Sequence, residues 1–101
     1  MPRLKSEFFK TLGHPLRIRV LELLSESDRS VAELLEEVKV EQPALSQQLA
    51  VLRRAGLVVS RRETTGAVYS LVDQRLADVL AVSRRILLDM ATAARDELVV
   101  S

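Results

Sequence analysis

A change in the spacing of apolar residues between Ser30 and Leu71 constrains this chain more than any other feature. Two stretches with helical spacing come first and are separated by only three residues. Two β-prone stretches, 57–62 and 67–71, follow and are joined by a short turn that contains glycine. Apolar residues three or four apart predict amphipathic helices, whereas short runs rich in β-branched residues predict strands. The order predicts two short helices and then a β-hairpin.

The two helices carry clear boundary signals. Ser30 can cap the first helix, and Glu33 stands three residues later, where it completes a capping box. Pro43 suits the first turn of the second helix, because its missing N–H is not needed there. That helix is predicted over residues 42–55, and Gly56 supplies the stop at its C-terminal end.

Three further helical stretches flank this unit. Apolar spacing predicts a short amphipathic helix over about 4–12 and a buried helix over 15–25. It also predicts a last helix over about 74–98, which Asp73 can cap. We therefore expect residues 1–101 to form one winged helix-turn-helix domain, mainly α with a small β-hairpin. Five helices run in order, and the hairpin lies between the fourth and the fifth.

Composition excludes several classes of protein. Hydrophobic residues make up 48% and charged residues 29% of the chain, which favours a folded domain over a disordered one. The chain has no cysteine and one histidine, which excludes disulfides, thiolate metal sites and multi-histidine metal sites within one chain. No glycine-rich phosphate loop or catalytic set indicates an enzyme. Without a signal peptide or a membrane-length apolar run, we expect a cytoplasmic protein that does not bind membranes.

Charge and polar side chains favour double-stranded DNA as the partner. No acidic residue occurs from Gln42 to Arg62, although this segment carries four arginines. The second helix of the pair, held by the first, would present its outer face to a major groove. Amide and hydroxyl groups can contact base edges, and arginines can neutralise phosphates. The candidate DNA-contacting residues are Gln42, Ser46, Gln47, Gln48, Arg53, Arg54, Arg61, Arg62, Thr64 and Thr65.

Several of these residues also have a simpler interpretation. The polar side chains of the second helix could face solvent, and Gln48 could partly face the preceding helix. Arg53 and Arg54 end a helix, where the helix dipole favours cations whether or not DNA is bound. Arg61 and Arg62 alternate across a strand, so only one of the two is expected to point at DNA.

Five stretches carry a resemblance that covers nearly the whole chain in order. They are residues 9–19 (FKTLGHPLRIR), 30–34 (SVAEL), 42–49 (QPALSQQL), 52–58 (LRRAGLV) and 69–71 (YSL). In these stretches the chain resembles the ArsR/SmtB family of bacterial repressors, and it is similar to actinobacterial members that lack the metal-binding cysteines. The resemblance implies a homodimer that binds an inverted repeat at a promoter. It also implies repression that is relieved by a signal.

The turn between the two short helices departs from the family's pattern at two positions. Lys39 stands where the family usually has glycine, and Glu41 stands where the helix cap is often serine. A carboxylate near a helix N-terminus is electrostatically acceptable. It would nevertheless lie close to the phosphates of bound DNA.

Many members of the family sense metals, and the resemblance implies where their ligands would lie. The cysteine position matches Ser30, and Asp73 and Asp89 fall near carboxylate ligand positions on the last helix. The expected histidine partners match Arg75 and Ile86, which cannot complete a zinc shell. We therefore expect no cofactor and no control through the usual metal sites. A small molecule, a protein partner or simple control by the level of the protein is left as the signal.

Apolar surface on the first and last helices predicts a dimer, because it exceeds what one small domain can bury. The helices over about 4–12 and 74–98 would form the interface. Its candidate residues are Leu4, Phe8, Phe9, Leu12, Leu80, Leu87, Met90 and Ala94. Of these, Phe8, Phe9 and Leu12 could instead be plain core, and Met90 could be a packing residue. The alternative function is a winged-helix protein–protein interaction module, in which the same helix or the hairpin edge meets a protein.

Overall fold

The computed structural model describes the backbone of residues 14–100 and the side chains up to residue 96. The elements are α1 (Pro15–Glu26), β1 (Arg29–Ser30), α2 (Val31–Val38), α3 (Gln42–Arg54), β2 (Val58–Glu63), β3 (Gly66–Leu71) and α4 (Arg75–Val100). The predicted helix over about 4–12, with the candidate interface residues Leu4, Phe8, Phe9 and Leu12, lies outside the described residues. Within the described part, the fold is mainly helical with a small β-hairpin, and the order of elements follows the prediction.

The predicted capping box opens α2. The Ser30 hydroxyl accepts the Glu33 N–H at 3.2 Å, and the Glu33 carboxylate accepts the Ser30 N–H at 3.1 Å. The bond from the Ser30 N–H to the charged carboxylate, together with the nearby Ser30 side chain, holds the pKa of Glu33 below its ordinary value. The start of α2 is therefore encoded locally, by two residues three apart.

The turn between α2 and α3 depends on Lys39. Its backbone is left-handed, with φ 52° and ψ 49°, and its N–H donates to the Leu35 carbonyl at 3.0 Å. Glycine adopts this conformation without steric cost, which explains why the family usually has glycine at this position. Glu41 then precedes α3 and makes no side-chain capping hydrogen bond.

The wing is a three-stranded antiparallel sheet in the order β1-β3-β2. The hairpin is tighter than predicted, because Glu63 pairs with Gly66 and leaves only Thr64 and Thr65 in the turn. The sequence analysis did not predict β1, whose two residues, Arg29 and Ser30, pair with β3. Two residues are too few to show an alternating pattern, so this strand exists because of its tertiary partner.

One apolar core holds the helices and the sheet together. It draws side chains from every helix and from both long strands. Its buried members are Val20, Leu21, Leu23, Leu24, Leu34, Leu45, Leu49, Leu52, Leu57, Val58, Leu71 and Leu80. Because α1 supplies four of them, the predicted buried helix forms the centre of the domain. The inward leucines of α3 lock its orientation relative to the rest of the chain.

Among the described residues of α4, those in its first turns pack against this core: Leu76, Ala77 and Leu80. Leu80 is 8% exposed and belongs to the core of the single chain, so its burial needs no partner. Further along, Leu87 and Met90 are 61% and 63% exposed, and Ala94 is also exposed. The structure thus separates the predicted interface residues of this helix into one core residue and three surface residues. In the described part of the chain, no helix has the combination of length and apolar character that spanning a membrane requires.

Candidate nucleic-acid interface

The face of α3 opposite the core is polar and accessible. Leu45, Leu49 and Leu52 are buried, so the residues on the other side of the helix face outward. Gln47 and Arg54, seven residues apart, lie two turns from each other on this outward face, and both are exposed. Ser46 is exposed at the edge of this face. Gln42, in the first turn of the helix, is exposed as well.

Ala50 lies between Gln47 and Arg54 on this face and is exposed. The sequence analysis did not include it, although its spacing of three from Gln47 and four from Arg54 places it on the same line. A methyl side chain in the middle of the face allows close approach to a partner surface. It also suits contact with a thymine methyl group.

Gln48 lies on the flank of α3 and is half-buried. Its Oε1 accepts a hydrogen bond from Arg17 Nε at 2.6 Å. Arginine can only donate, so the oxygen of the amide must face Arg17 and the NH₂ group must point elsewhere. The partner of Gln48 is therefore on α1, not on the preceding helix that the sequence analysis considered. No local signal could have identified a partner 31 residues away.

The two arginines of the wing differ in their surroundings. Arg61 Nη1 donates to Asp28 Oδ2 at 2.7 Å, and Arg61 Nε donates to Glu63 Oε1 at 2.8 Å. These carboxylates raise the pKa of Arg61 above its ordinary value. Arg62 is exposed and makes no ion pair with any other residue of the described range 14–96. Of these two arginines, Arg62 is therefore the one whose charge is available to a polyanion.

Basic and hydroxyl groups complete the surface at the end of α3 and at the wing tip. Arg53 and Arg54 form the last turn of the helix, and both are exposed. Thr64 and Thr65 form the exposed tip of the hairpin. Because α3 packs directly against β2, the helix and the wing belong to one continuous rigid surface.

The carboxylate of Asp73 is bound within its own turn. It accepts the Arg75 N–H at 2.9 Å and pairs with the Arg75 guanidinium at 2.7 Å. These contacts lower the pKa of Asp73 to about 2. Within residues 14–96, no group of three or more His, Cys, Asp or Glu side chains is arranged to hold a metal ion.

Residues 14–60 match the family model described as bacterial regulatory protein, arsR family. A relative from Mycobacterium tuberculosis, the uncharacterized HTH-type transcriptional regulator Rv0081, is 57% identical over 86 residues. These residues cover 84% of this chain and 75% of the relative. The chain belongs to the arsR family. This arsR-family protein is therefore a DNA-binding transcriptional regulator, not an enzyme.

Other similarities agree with this assignment. The arsR-family chain is similar to the crystal structure of M. tuberculosis Rv0081, with a TM-score of 0.83, 53% identity and coverage of 91% and 93% of the two chains. It is 39% identical over 75 residues to the biofilm growth-associated repressor of Xylella fastidiosa. These residues cover 74% of this chain and 66% of the repressor.

A more distant structure shares the fold. The homodimeric winged helix-turn-helix DNA-binding domain of a possible ArsR-family regulator from Mycobacterium bovis is 24% identical, with a TM-score of 0.79 and coverage of 88% and 82% of the two chains. The resemblance stated from the sequence is thus confirmed at the level of family and of fold, which is a winged helix.

Proposed function

We propose that this arsR-family chain is a homodimeric repressor that binds an inverted-repeat operator. The observation that carries the proposal is the accessible polar face of α3, which a buried leucine stripe holds rigidly beside the wing. A two-fold dimer would place two copies of α3 in successive major grooves, about 34 Å apart. The Xylella relative is named a repressor, which supports repression as the direction of regulation.

Different parts of the surface would make different contacts. Ser46 and Gln47 would contact base edges in the major groove, with Gln42 at the margin of the face, whereas the amide oxygen of Gln48 is already bonded to Arg17. A good bidentate contact of an amide with a base is worth about 1–3 kcal/mol of discrimination. The exposed cations and hydroxyls would contact the sugar–phosphate backbone, which positions the helix without reading sequence. These groups are Arg53, Arg54, Arg62, Thr64 and Thr65.

The proposed dimer uses the free face of α4. Leu87, Met90 and Ala94 follow one another at intervals of three and four, so they share one side of the helix. All three are exposed in the single chain. Burying such a stripe against a second copy removes apolar surface from water, which stabilises association by roughly 25 cal/mol per Å². The candidate interface residues of the segment over about 4–12 would contribute to the same dimer.

Regulation by the family's usual metal sites does not fit the residues present. Arg75 occupies a position where a histidine ligand would be needed, and its guanidinium binds the carboxylate of Asp73. A cation already pairs with this carboxylate, and a second, divalent cation would be repelled. We therefore propose a cytoplasmic repressor that responds to a small-molecule or protein effector.

The test is DNA binding by Gln47→Ala/Arg54→Ala, measured by fluorescence anisotropy. The probe is a labelled duplex from the region upstream of the gene, titrated at 50–300 mM KCl. We expect lower affinity and a salt slope smaller by about two, since the slope changes by about 0.9 per phosphate contact and the dimer has two copies. Unchanged affinity and slope would disprove the role of this face.

The matched control is Gln74→Ala/Arg85→Ala, which removes the same residue types from exposed positions outside α3 and the wing. We expect it to bind the duplex like the wild type. If the wild type itself shows no salt-dependent binding but forms a stable complex with another protein, the chain is a winged-helix protein-interaction module instead.

A further inference from the structure

An ion-pair cluster links the wing to the turn that precedes it. Arg61 in β2 bonds both Asp28, in the turn between α1 and β1, and Glu63, near the tip of the wing. Asp28 and Arg61 are 33 residues apart in sequence. β3 lies between β1 and β2, so the bridge from Arg61 to Asp28 crosses the whole width of the sheet.

The register of the sheet shows which face carries this cluster. Arg61 pairs directly with Val68, and Val68 pairs directly with Ser30, so these three side chains share one face. Alternation along β2 places Glu63 on that face as well, and the 2.7 Å bond from Arg61 brings the Asp28 carboxylate to the same side. All members of the cluster therefore lie on one side of the sheet.

Arg62 belongs to the opposite face. Alternation along β2 places it on the same side as Val58, which is buried in the core among the helices. This is the side of the sheet against which α3 packs. Arg62 lies beyond the edge of the core and is exposed, on the face of the sheet that packs against α3.

Val68 lies on the same face of the sheet as Arg61. It is 8% exposed, yet it is not part of the core that the helices cover. Arg61 stands directly opposite Val68 in the sheet, and its guanidinium reaches Asp28 on the far side of β3. The methylene stem of an arginine can cover apolar surface while its guanidinium is bonded elsewhere, which would account for the burial of Val68.

We propose that Arg61 is a positioning residue that holds the wing in place through Asp28 and Glu63, and that Arg62 supplies the wing's contact with phosphate. This inference rests on the proposed function, in which the wing meets DNA. For Arg61 to turn to a phosphate, it would have to leave two carboxylates unneutralised on the wing. That exchange removes two charge-assisted hydrogen bonds and adds repulsion between the wing and the DNA.

The test compares Arg61→Gln with Arg62→Gln, which remove the same charge from adjacent exposed positions. Binding of the labelled upstream duplex is measured by fluorescence anisotropy at 50–300 mM KCl. For Arg62→Gln we expect the salt slope to fall by about 1.8, that is about 0.9 per phosphate in each protomer. For Arg61→Gln we expect a clearly smaller change in slope, because no phosphate contact is lost and only the screened repulsion from the two freed carboxylates depends on salt. A loss of slope in Arg61→Gln equal to that in Arg62→Gln would overturn the proposal.

Hydrogen exchange provides a readout that does not need DNA. We expect Arg61→Gln and Asp28→Asn to speed amide exchange in β2 and β3 by about two- to fivefold, as for the loss of an exposed ion-pair cluster. Arg62→Gln should leave exchange unchanged. Equal exchange in all variants and the wild type would show that Arg61 does not hold the wing.

The two readouts separate the two proposals. If the wild type shows no salt-dependent binding to the duplex, the proposed function and the phosphate role of Arg62 both fail. Slower exchange of the wing amides in wild type than in Arg61→Gln would still establish the positioning role of Arg61.

Discussion

Replacing Arg17 by methionine is expected to loosen the recognition helix α3 from α1. Methionine retains most of the length and the apolar stem of the side chain, so the change mainly removes the guanidinium. The lost hydrogen bond, Arg17 Nε to Gln48 Oε1, is short at 2.6 Å and half-buried. A hydrogen bond to a charged group contributes about 1.5–3 kcal/mol when well shielded, and solvent access reduces this to about 1 kcal/mol.

A double-mutant cycle isolates that contribution. Arg17→Met, Gln48→Met and the double variant are unfolded in urea at one fixed protein concentration, with helix content followed by circular dichroism. Each single variant should lower the free energy of unfolding by about 1–2 kcal/mol, and the two effects should couple by about 1 kcal/mol because the partners share one hydrogen bond.

A second pair that joins α1 to a neighbouring helix, α2, offers a matched control. Arg19 and Glu37 form an ion pair at 3.7 Å whose side chains are both about half exposed. Their coupling, measured with Arg19→Met and Glu37→Met, should stay below about 0.5 kcal/mol, as for other exposed pairs. If Arg17 and Gln48 couple no more strongly than this control pair, the hydrogen bond does not hold α3 against α1.

Two further predictions concern α4. The pKa of Asp73 is lowered from 3.8 to about 2 by its contacts with Arg75, so its contribution to stability is present above about pH 4 and is lost as the pH falls toward 2. Asp73→Asn should therefore flatten the fall in urea midpoint between pH 4 and 2, and an unchanged slope would contradict the assigned pKa. Leu87→Glu/Met90→Glu should convert the proposed dimer to monomer in sedimentation-velocity runs, whereas Thr92→Glu, at an exposed position on the opposite face of the helix, should leave it dimeric. Dimerisation of the double variant equal to that of the wild type would exclude this face from the interface.

The helices and the hairpin could be predicted because their signals are local. A capping box needs only Ser30 and Glu33, and the stop after α3 needs only Gly56, whose φ of 76° is one that side chains rarely adopt. Because Leu45 and Leu49 are four residues apart, the outward orientation of Gln47 between them followed from helical periodicity. Local spacing is thus sufficient to give the order of elements and the exposure of the recognition face.

Partners that are distant in sequence could not be predicted. β1 has two residues and forms only because β3 offers it an edge. Leu80 and Leu87 both fit an apolar stripe of one helix, but only the position of α1 and the sheet decides that the first is core and the second is surface. Periodicity assigns a residue to a face of its own helix and does not show what covers that face.

For this protein, the sequence by itself determined the family, the order of the helices and the hairpin, and the polar face of α3 that we propose binds DNA. The family follows from stretches along nearly the whole chain, and the other two follow from spacing within windows of a few residues. The tertiary structure alone decided which polar groups are already engaged: Gln48 by Arg17, and Arg61 by Asp28. The physical reason is that a side chain's charge or amide is available to DNA only if no nearer partner binds it, and here those partners come from more than 30 residues away.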